Sequence, residues 1–188
     1  MKSYITGTCG RGSQEDCLGS YNPNSTRHTD TSLKNYGRPW SWLLCNELGW
    51  AQAGAPVGWP SIVPRLVVPP YKMRQCTYSF PKSFPKARPP NTLNINKKYA
   101  GWNVNVPRLF FANGKRDPWR EATVSSDFHP RQSTELQPIA VSDGFHCSDL
   151  ITLFGAADKT VYDVQQLAIA YFTKWIKEWQ DKNPGAVK

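Results

Sequence analysis

Two side chains in this sequence have the types and spacing for proton-transfer chemistry. Asp117 lies in Phe110-Phe111-Ala112-Asn113-Gly114-Lys115-Arg116-Asp117-Pro118-Trp119, and His146 follows 29 residues later in Gly144-Phe145-His146-Cys147-Ser148-Asp149-Leu150. An imidazole titrates near neutrality, at about 6.5 when unperturbed, which suits a histidine to general-base work. A carboxylate that accepts its Nδ1–H fixes the tautomer and stabilises the imidazolium formed when Nε2 takes a proton. The order, acid and then histidine, is that of the last two members of a nucleophile–acid–histidine triad. An Asp before Pro is by itself more often a turn residue, so the second motif gives the first its meaning.

Each candidate needs an element that brings it to a common place. Arg108 to Asn113 is a short, mostly apolar run closed by Asn-Gly, as expected of a buried strand in a parallel sheet. Pro138 to Val141 reads as a second strand, ending before Asp143-Gly144. Loops at the carboxyl ends of such strands converge on one crevice, so Asp117 and His146 are expected to face each other there. From Asp158 to Lys182 the pattern turns helical, with Val161, Val164, Ala168, Phe172, Trp175 and Trp179 forming one apolar stripe. Asp158 can cap its start and Pro184-Gly185 stop it.

Strand, loop, strand, loop and long terminal helix is how an α/β-hydrolase finishes, and the motifs resemble one family of that class. They are similar to those of the serine peptidases that include prolyl carboxypeptidase and dipeptidyl peptidase II, especially the fungal secreted branch. Arg38-Pro39-Trp40-Ser41-Trp42-Leu43-Leu44-Cys45-Asn46-Glu47 resembles the family's Trp-rich segment, and Pro60 to Leu66 and Arg74-Gln75-Cys76 the stretch after it. Gly10 to Thr31, with Cys17-Leu18-Gly19-Ser20-Tyr21, resembles the segment before it. The resemblance implies an α/β-hydrolase with a helical cap that cleaves peptides after proline or small residues, with Asp117 and His146 as triad members.

No Gly-x-Ser-x-Gly occurs in the sequence. The expectation is therefore an incomplete fold: cap-like helical and proline-rich sequence over 1–98, and the C-terminal strands and helix of the hydrolase domain over 99–188. Such a chain is expected to be inactive alone, or to be a non-catalytic remnant or binding protein of the same family. A peptide is the expected partner if the N-terminal half is present. At 188 residues, 39% hydrophobic and with a mean hydropathy of −0.55, the chain is short and polar for a complete capped hydrolase.

The five cysteines, Cys9, Cys17, Cys45, Cys76 and Cys147, show no Cys-x-x-Cys spacing and no zinc-type cluster, so neither metal nor cofactor is expected. Disulfides in an oxidising compartment fit better, with one thiol free or paired to a partner outside this chain; for Cys147 a disulfide is expected rather than a nucleophile's role. Asn24-Ser25-Thr26 is a glycosylation sequon. Together these point to an extracellular or vacuolar parent protein, although no signal peptide and no membrane-spanning run is evident.

The net charge of +9 is concentrated between Arg65 and Lys98, which hold eight basic residues and no acid. No nucleic-acid motif accompanies them, so a solvated proline-rich loop is expected and neither nucleic acid nor membrane is called as a partner. Residues 1–37 read as loop with short helical pieces. Trp40 to Gln52 has a rough helical spacing, and eight prolines between Trp59 and Pro90 argue against long regular elements. Glu47 is a candidate contact for a substrate's amino terminus, with a structural ion pair as the alternative. His28 and His129 are expected at the surface.

Overall fold

A computed structural model describes residues 2–10, 12, 14, 17 and 19–185. Leu18, part of the Cys17–Tyr21 motif, lies outside the described residues. The chain divides into two compact units, Met1–Ile95 and Asn96–Lys188.

The first unit is helical. α1 (Lys2–Cys9) is tied off by a Cys9–Cys17 disulfide, α2 (Thr26–Thr29) is one turn, and α3 (Gly37–Leu43) widens into a π turn over Leu44–Leu48. Gly49, at φ 75, ends that run in a conformation that costs glycine least. α4 (Pro69–Ser79) corrects the expectation that eight prolines exclude long elements. Pro69 and Pro70 occupy its first turn, where a missing N–H removes no helical hydrogen bond, and Val68 before them is extended as a residue preceding proline prefers. A Cys45–Cys76 disulfide joins the π turn to α4, and Met73 and Phe84 complete this buried core. Trp42 packs edge-on against Phe80 and Phe84, at 5.1 and 5.7 Å between ring centroids. α5 (Thr92–Tyr99) follows.

His28 is a second correction. It is 3% exposed rather than on the surface. Its Nδ1 is 2.8 Å from the Ser79 hydroxyl, and Arg38 donates to the carbonyls of both His28 and Ser79. His129 does lie exposed, stacked on Trp102 with 4.5 Å between centroids.

The second unit holds the parallel sheet. β1 (Phe111–Gly114) pairs with β2 (Ile139–Ser142) in register, Phe111 opposite Ile139 and Gly114 opposite Ser142. Both strands therefore end at the same edge. α6 (Thr152–Ala157) leads to α7 (Lys159–Lys182), whose cap is Asp158, as the sequence suggests: its carboxylate accepts from Thr160 N. The Thr160 hydroxyl, and then that backbone bond, hold the Asp158 carboxyl below its ordinary range.

The stripe on α7 is only partly covered. Val161, Val164 and Trp175 are buried, each stabilising the packed state by about 1.5–3 kcal/mol. Phe172 and Trp179 remain half exposed, as do Ile169 and Ile176. Phe172 still meets Phe110 and Trp175 at its edges. No helix among the described residues is long and apolar enough to cross a membrane.

Candidate active site

Asp117 and His146 stand together at the shared edge of the sheet. β1 ends at Gly114, and Asp117 N donates to Gly114 O at 3.1 Å, so a tight turn carries the carboxylate three residues past the strand. β2 ends at Ser142, and the chain turns through Gly144 to place His146 four residues on. The two turns are laced together beyond the strands: Lys115 N donates to Ser142 O at 2.8 Å and Arg116 N to Gly144 O at 3.0 Å. Lys115 and Asp143 add an exposed ion pair at 3.0 Å.

The His146 turn is held from inside. Ser142 and Ser148 are 2% and 4% exposed, and their hydroxyls serve the backbone rather than solvent. Gly144 N donates to Ser142 Oγ at 3.2 Å, and Phe145 N to Ser148 Oγ at 2.8 Å. Cys147 adopts φ 59 and starts a 3₁₀ turn over Ser148–Leu150. Gln165 on α7 donates to the carbonyls of Asp149 and Ile151, fixing the far end of the loop. Asp143 N donates to Thr160 Oγ1 at 2.8 Å, fixing the near end to the start of the same helix.

The pair itself is a 2.7 Å contact between His146 Nδ1 and Asp117 Oδ2. The other carboxylate oxygen, Oδ1, accepts from Trp119 N at 2.8 Å, so both oxygens are engaged. The Trp119 ring meets His146 edge-on with 4.7 Å between centroids. Asp117 is shielded and His146 is open, at 10% and 51% side-chain exposure. A low-exposure carboxylate bonded to Nδ1 leaves Nε2 as the nitrogen that can exchange a proton with a group arriving from outside.

Of the remaining candidates, Glu47 and Asn24 belong to the first unit. Glu47 sits in the π turn of the first unit, half-buried, with Asn46 Nδ2 3.4 Å from its carboxylate. No ion pair joins it among the described residues. Asn24 is exposed, two residues before α2. Cys9–Cys17 and Cys45–Cys76 are the disulfides among the described residues, and Cys147 is the thiol left over, free and exposed in this chain. Ser142 and Ser148 are the residues that sequence reasoning misses, since a buried hydroxyl looks like any loop serine; Gly144 carries the only local signal. Among the described residues no group of three or more His, Cys, Asp or Glu could hold a metal ion.

The serine carboxypeptidase S28 family matches residues 3–166. The chain belongs to that family. This is a serine peptidase family of α/β-hydrolases, and the match covers its C-terminal portion. The chain is 34% identical over 185 residues to serine protease vicPb of Bipolaris victoriae (strain FI3), covering 95% of this chain and 34% of that protein. It is 27% identical to a probable extracellular serine carboxypeptidase of Arthroderma benhamiae, covering 95% of this chain and 25% of that one. Over 88 residues it is 27% identical to the lysosomal Pro-X carboxypeptidase of Homo sapiens, covering 46% and 17% respectively. The chain thus spans about a third of the length of the Bipolaris relative. The small parallel sheet with its helices is what a part of such a fold contains.

Proposed function

We propose that this chain supplies the acid and the base of a serine-type peptidase whose nucleophile lies outside these 188 residues. The observation that carries the reading is the 2.7 Å contact from His146 Nδ1 to a shielded Asp117, with the rest of the imidazole open. In the proposed reaction His146 Nε2 takes the proton of a serine hydroxyl as its oxygen attacks the peptide carbonyl carbon. Asp117 stabilises the imidazolium, which returns the proton to the leaving amine as the C–N bond breaks. A water, deprotonated by the same Nε2, then releases the acyl group and regenerates the serine.

Hydrolysis on the carboxyl side of proline is the preference we propose, on the likeness to a Pro-X carboxypeptidase; Glu47 is proposed to meet a substrate's amino terminus. An extracellular or vacuolar setting, with a glycan on Asn24, is proposed from the two disulfides and the relative named as extracellular. Without a nucleophile and its oxyanion donors the chain is proposed to be inactive alone.

The test is reconstitution. The 188-residue chain should leave a proline-containing chromogenic peptide uncut. Fused behind the part of the Bipolaris protease that precedes its match, it should cut that peptide, and His146→Ala should abolish the cleavage. Turnover by the chain alone that needs His146, or reconstituted turnover indifferent to His146→Ala, would overturn the proposal. The absence of Gly-x-Ser-x-Gly supports a second reading, a non-catalytic member of the family. A correctly folded fusion that never cuts would favour it.

A further inference from the structure

In the unit Met1–Ile95, α2, α3 and α4 border a cavity of about 250 Å³ that the chemistry at the sheet edge does not use. Arg27 and His28 line it from α2, Arg38 and Ser41 from α3, and Gln75 and Ser79 from α4. Among the described residues no acid lines it. A small ion and several waters fit such a volume, a water's share being about 30 Å³.

Hydrogen bonds fix the frame of this cavity and leave two donors over. Arg38 bonds the carbonyls of His28 and Ser79, and its guanidinium lies 4.6 Å from the centroid of the Phe80 ring. Asn35 Nδ2 donates to the carbonyls of Arg27 and Asp30, at 3.3 and 2.8 Å, and holds the end of α2. Ser41 Oγ donates to Gly37 O at 2.9 Å within α3. The side chains of Arg27 and Gln75 have neither a hydrogen bond nor an ion pair among the described residues. Gln75 stands one turn before Ser79 on α4, so the two share a face.

The Ser79 hydroxyl is a third donor whose direction depends on His28. The buried imidazole has Nδ1 2.8 Å from Ser79 Oγ. When the ring is neutral with its hydrogen on Nε2, the hydroxyl donates to Nδ1 and has only lone pairs for the cavity. When the ring is protonated, Nδ1–H donates to Ser79 Oγ and the hydroxyl hydrogen is released. Burial, then Arg27 on its own helix, and Arg38 on α3 oppose that protonation, while the Asn22 backbone favours it. From α4 the Tyr78 ring packs edge-on, at 5.5 Å between centroids. Asp30 feels the Arg38 charge, but its Oδ1 already accepts from Ser32 N at 2.8 Å. The wall therefore carries positive charge that nothing on it balances. We infer that this cavity binds a tetrahedral oxyanion, sulfate or a phosphoryl group, on Arg27, Gln75 and the Ser79 hydroxyl, and holds it more tightly when His28 is protonated. Donors carried by two helices suit an ion with acceptor oxygens in every direction better than a flat carboxylate, which a single guanidinium fork satisfies. The inference goes beyond the peptidase reading and uses neither Asp117 nor His146.

The three histidines provide the readout, by NMR on the full 188-residue chain. Sulfate keeps its double charge where imidazole titrates, so any pH dependence of its binding belongs to the protein. At constant ionic strength, sulfate in place of chloride should move the His28 titration midpoint to higher pH and leave those of His129 and His146 where chloride puts them. Sulfate should bind the protonated ring about ten-fold more tightly than the neutral one, as one charge-assisted hydrogen bond implies, and acetate should bind more weakly than sulfate. Methyl phosphate separates the sources: binding comparable to sulfate assigns the site to a group carried on a larger molecule, and its exclusion assigns the site to the free ion. Arg27→Gln and Gln75→Glu should each lower the sulfate affinity at least about ten-fold. In ligand-free Arg27→Gln the His28 midpoint should rise, because a neighbouring cation is gone, and that rise shows the surroundings of the ring intact. Equal His28 midpoints in sulfate and chloride, equal movement of all three histidines, acetate as tight as sulfate, or undiminished sulfate binding in both variants would each overturn the inference. None of these outcomes bears on the triad, so the two proposals fail separately.

Discussion

A Cβ on Gly114 would overlap the carbonyl oxygen of Gly144 and lie 2.6 Å from its carbonyl carbon. The last residue of β1 and the pivot of the His146 turn are therefore in backbone contact, and that contact sets the distance between acid and base. Gly114→Ala must push the two turns apart, breaking the Arg116 N to Gly144 O bond that laces them. It should destabilise the second unit by about 1–3 kcal/mol, the range for forcing atoms into a filled space. A lowered melting temperature, with loss of the His146–Asp117 contact by NMR, is the expected result. A variant as stable as the parent would mean the contact is slack.

Asp117→Asn tests the pair without removing its shape. With Oδ2 accepting, the neutral imidazole carries its proton on Nδ1. An amide in that place can present its NH₂ to Nδ1 instead and favour the Nε2–H tautomer, which cannot accept a serine proton. The ¹⁵N shifts of His146 should therefore exchange between the two ring nitrogens. In the serine-bearing fusion kcat should fall by about 10⁴-fold with little change in KM.

Ser148→Ala separates positioning from fold. The hydroxyl is buried and accepts from Phe145 N, so its loss removes a hydrogen bond worth about 0.5–1.5 kcal/mol. Chemical denaturation should show that loss. The informative result is at His146: its Nδ1–H signal should broaden as the turn loosens, while signals of β1 stay in place. Loss of stability with an unchanged His146 signal would reduce Ser148 to a structural role.

The site was legible where the sequence carries its own geometry. Asn113-Gly114 and Asp143-Gly144 mark strand ends, and two parallel strands must deliver the following turns to one edge. Asp158 and the α7 stripe were legible for the same reason, since cap and periodicity are local. What was not legible depended on partners distant in sequence or on what covers a surface. His28 looked like a loop histidine because Ser79, its partner, lies 51 residues away. Periodicity reports that Phe172 and Trp179 are apolar, and says nothing of whether a neighbour covers them. A count of prolines hides α4, because Pro69 and Pro70 sit where a helix tolerates them best.

The Cys45–Cys76 disulfide closes a loop of 31 residues around the core of the first unit. Restricting the unfolded chain to that loop is worth about 3–4 kcal/mol in the chain-entropy account. The paired Cys45→Ala, Cys76→Ala variant should lose most of that in chemical unfolding. Cys9–Cys17 spans only 8 residues, so its removal should cost less. Equal losses for the two pairs would contradict the loop-length argument.

His28 makes the first unit sensitive to mild acid. Burial, and then the Arg27 cation, hold its imidazole below the ordinary 6.5, with Arg38 acting the same way and the Asn22 backbone pulling against them. The folded state thus binds the proton less readily than the unfolded state. The stabilisation is complete above pH 6.5 and is lost as pH falls from there through the lower folded value, where the unfolded chain takes up protons first. Asp and Glu residues titrate lower, so a fall in stability between about pH 6.5 and 5 belongs to histidine. His28→Asn keeps a hydrogen-bonding group for Ser79 but cannot titrate. It should be less stable than the parent at pH 8 and show a flatter profile between pH 6.5 and 5, measured by denaturant unfolding at each pH. Parallel profiles for the two proteins would assign the acid sensitivity to another group and leave the burial of His28 without a pH consequence.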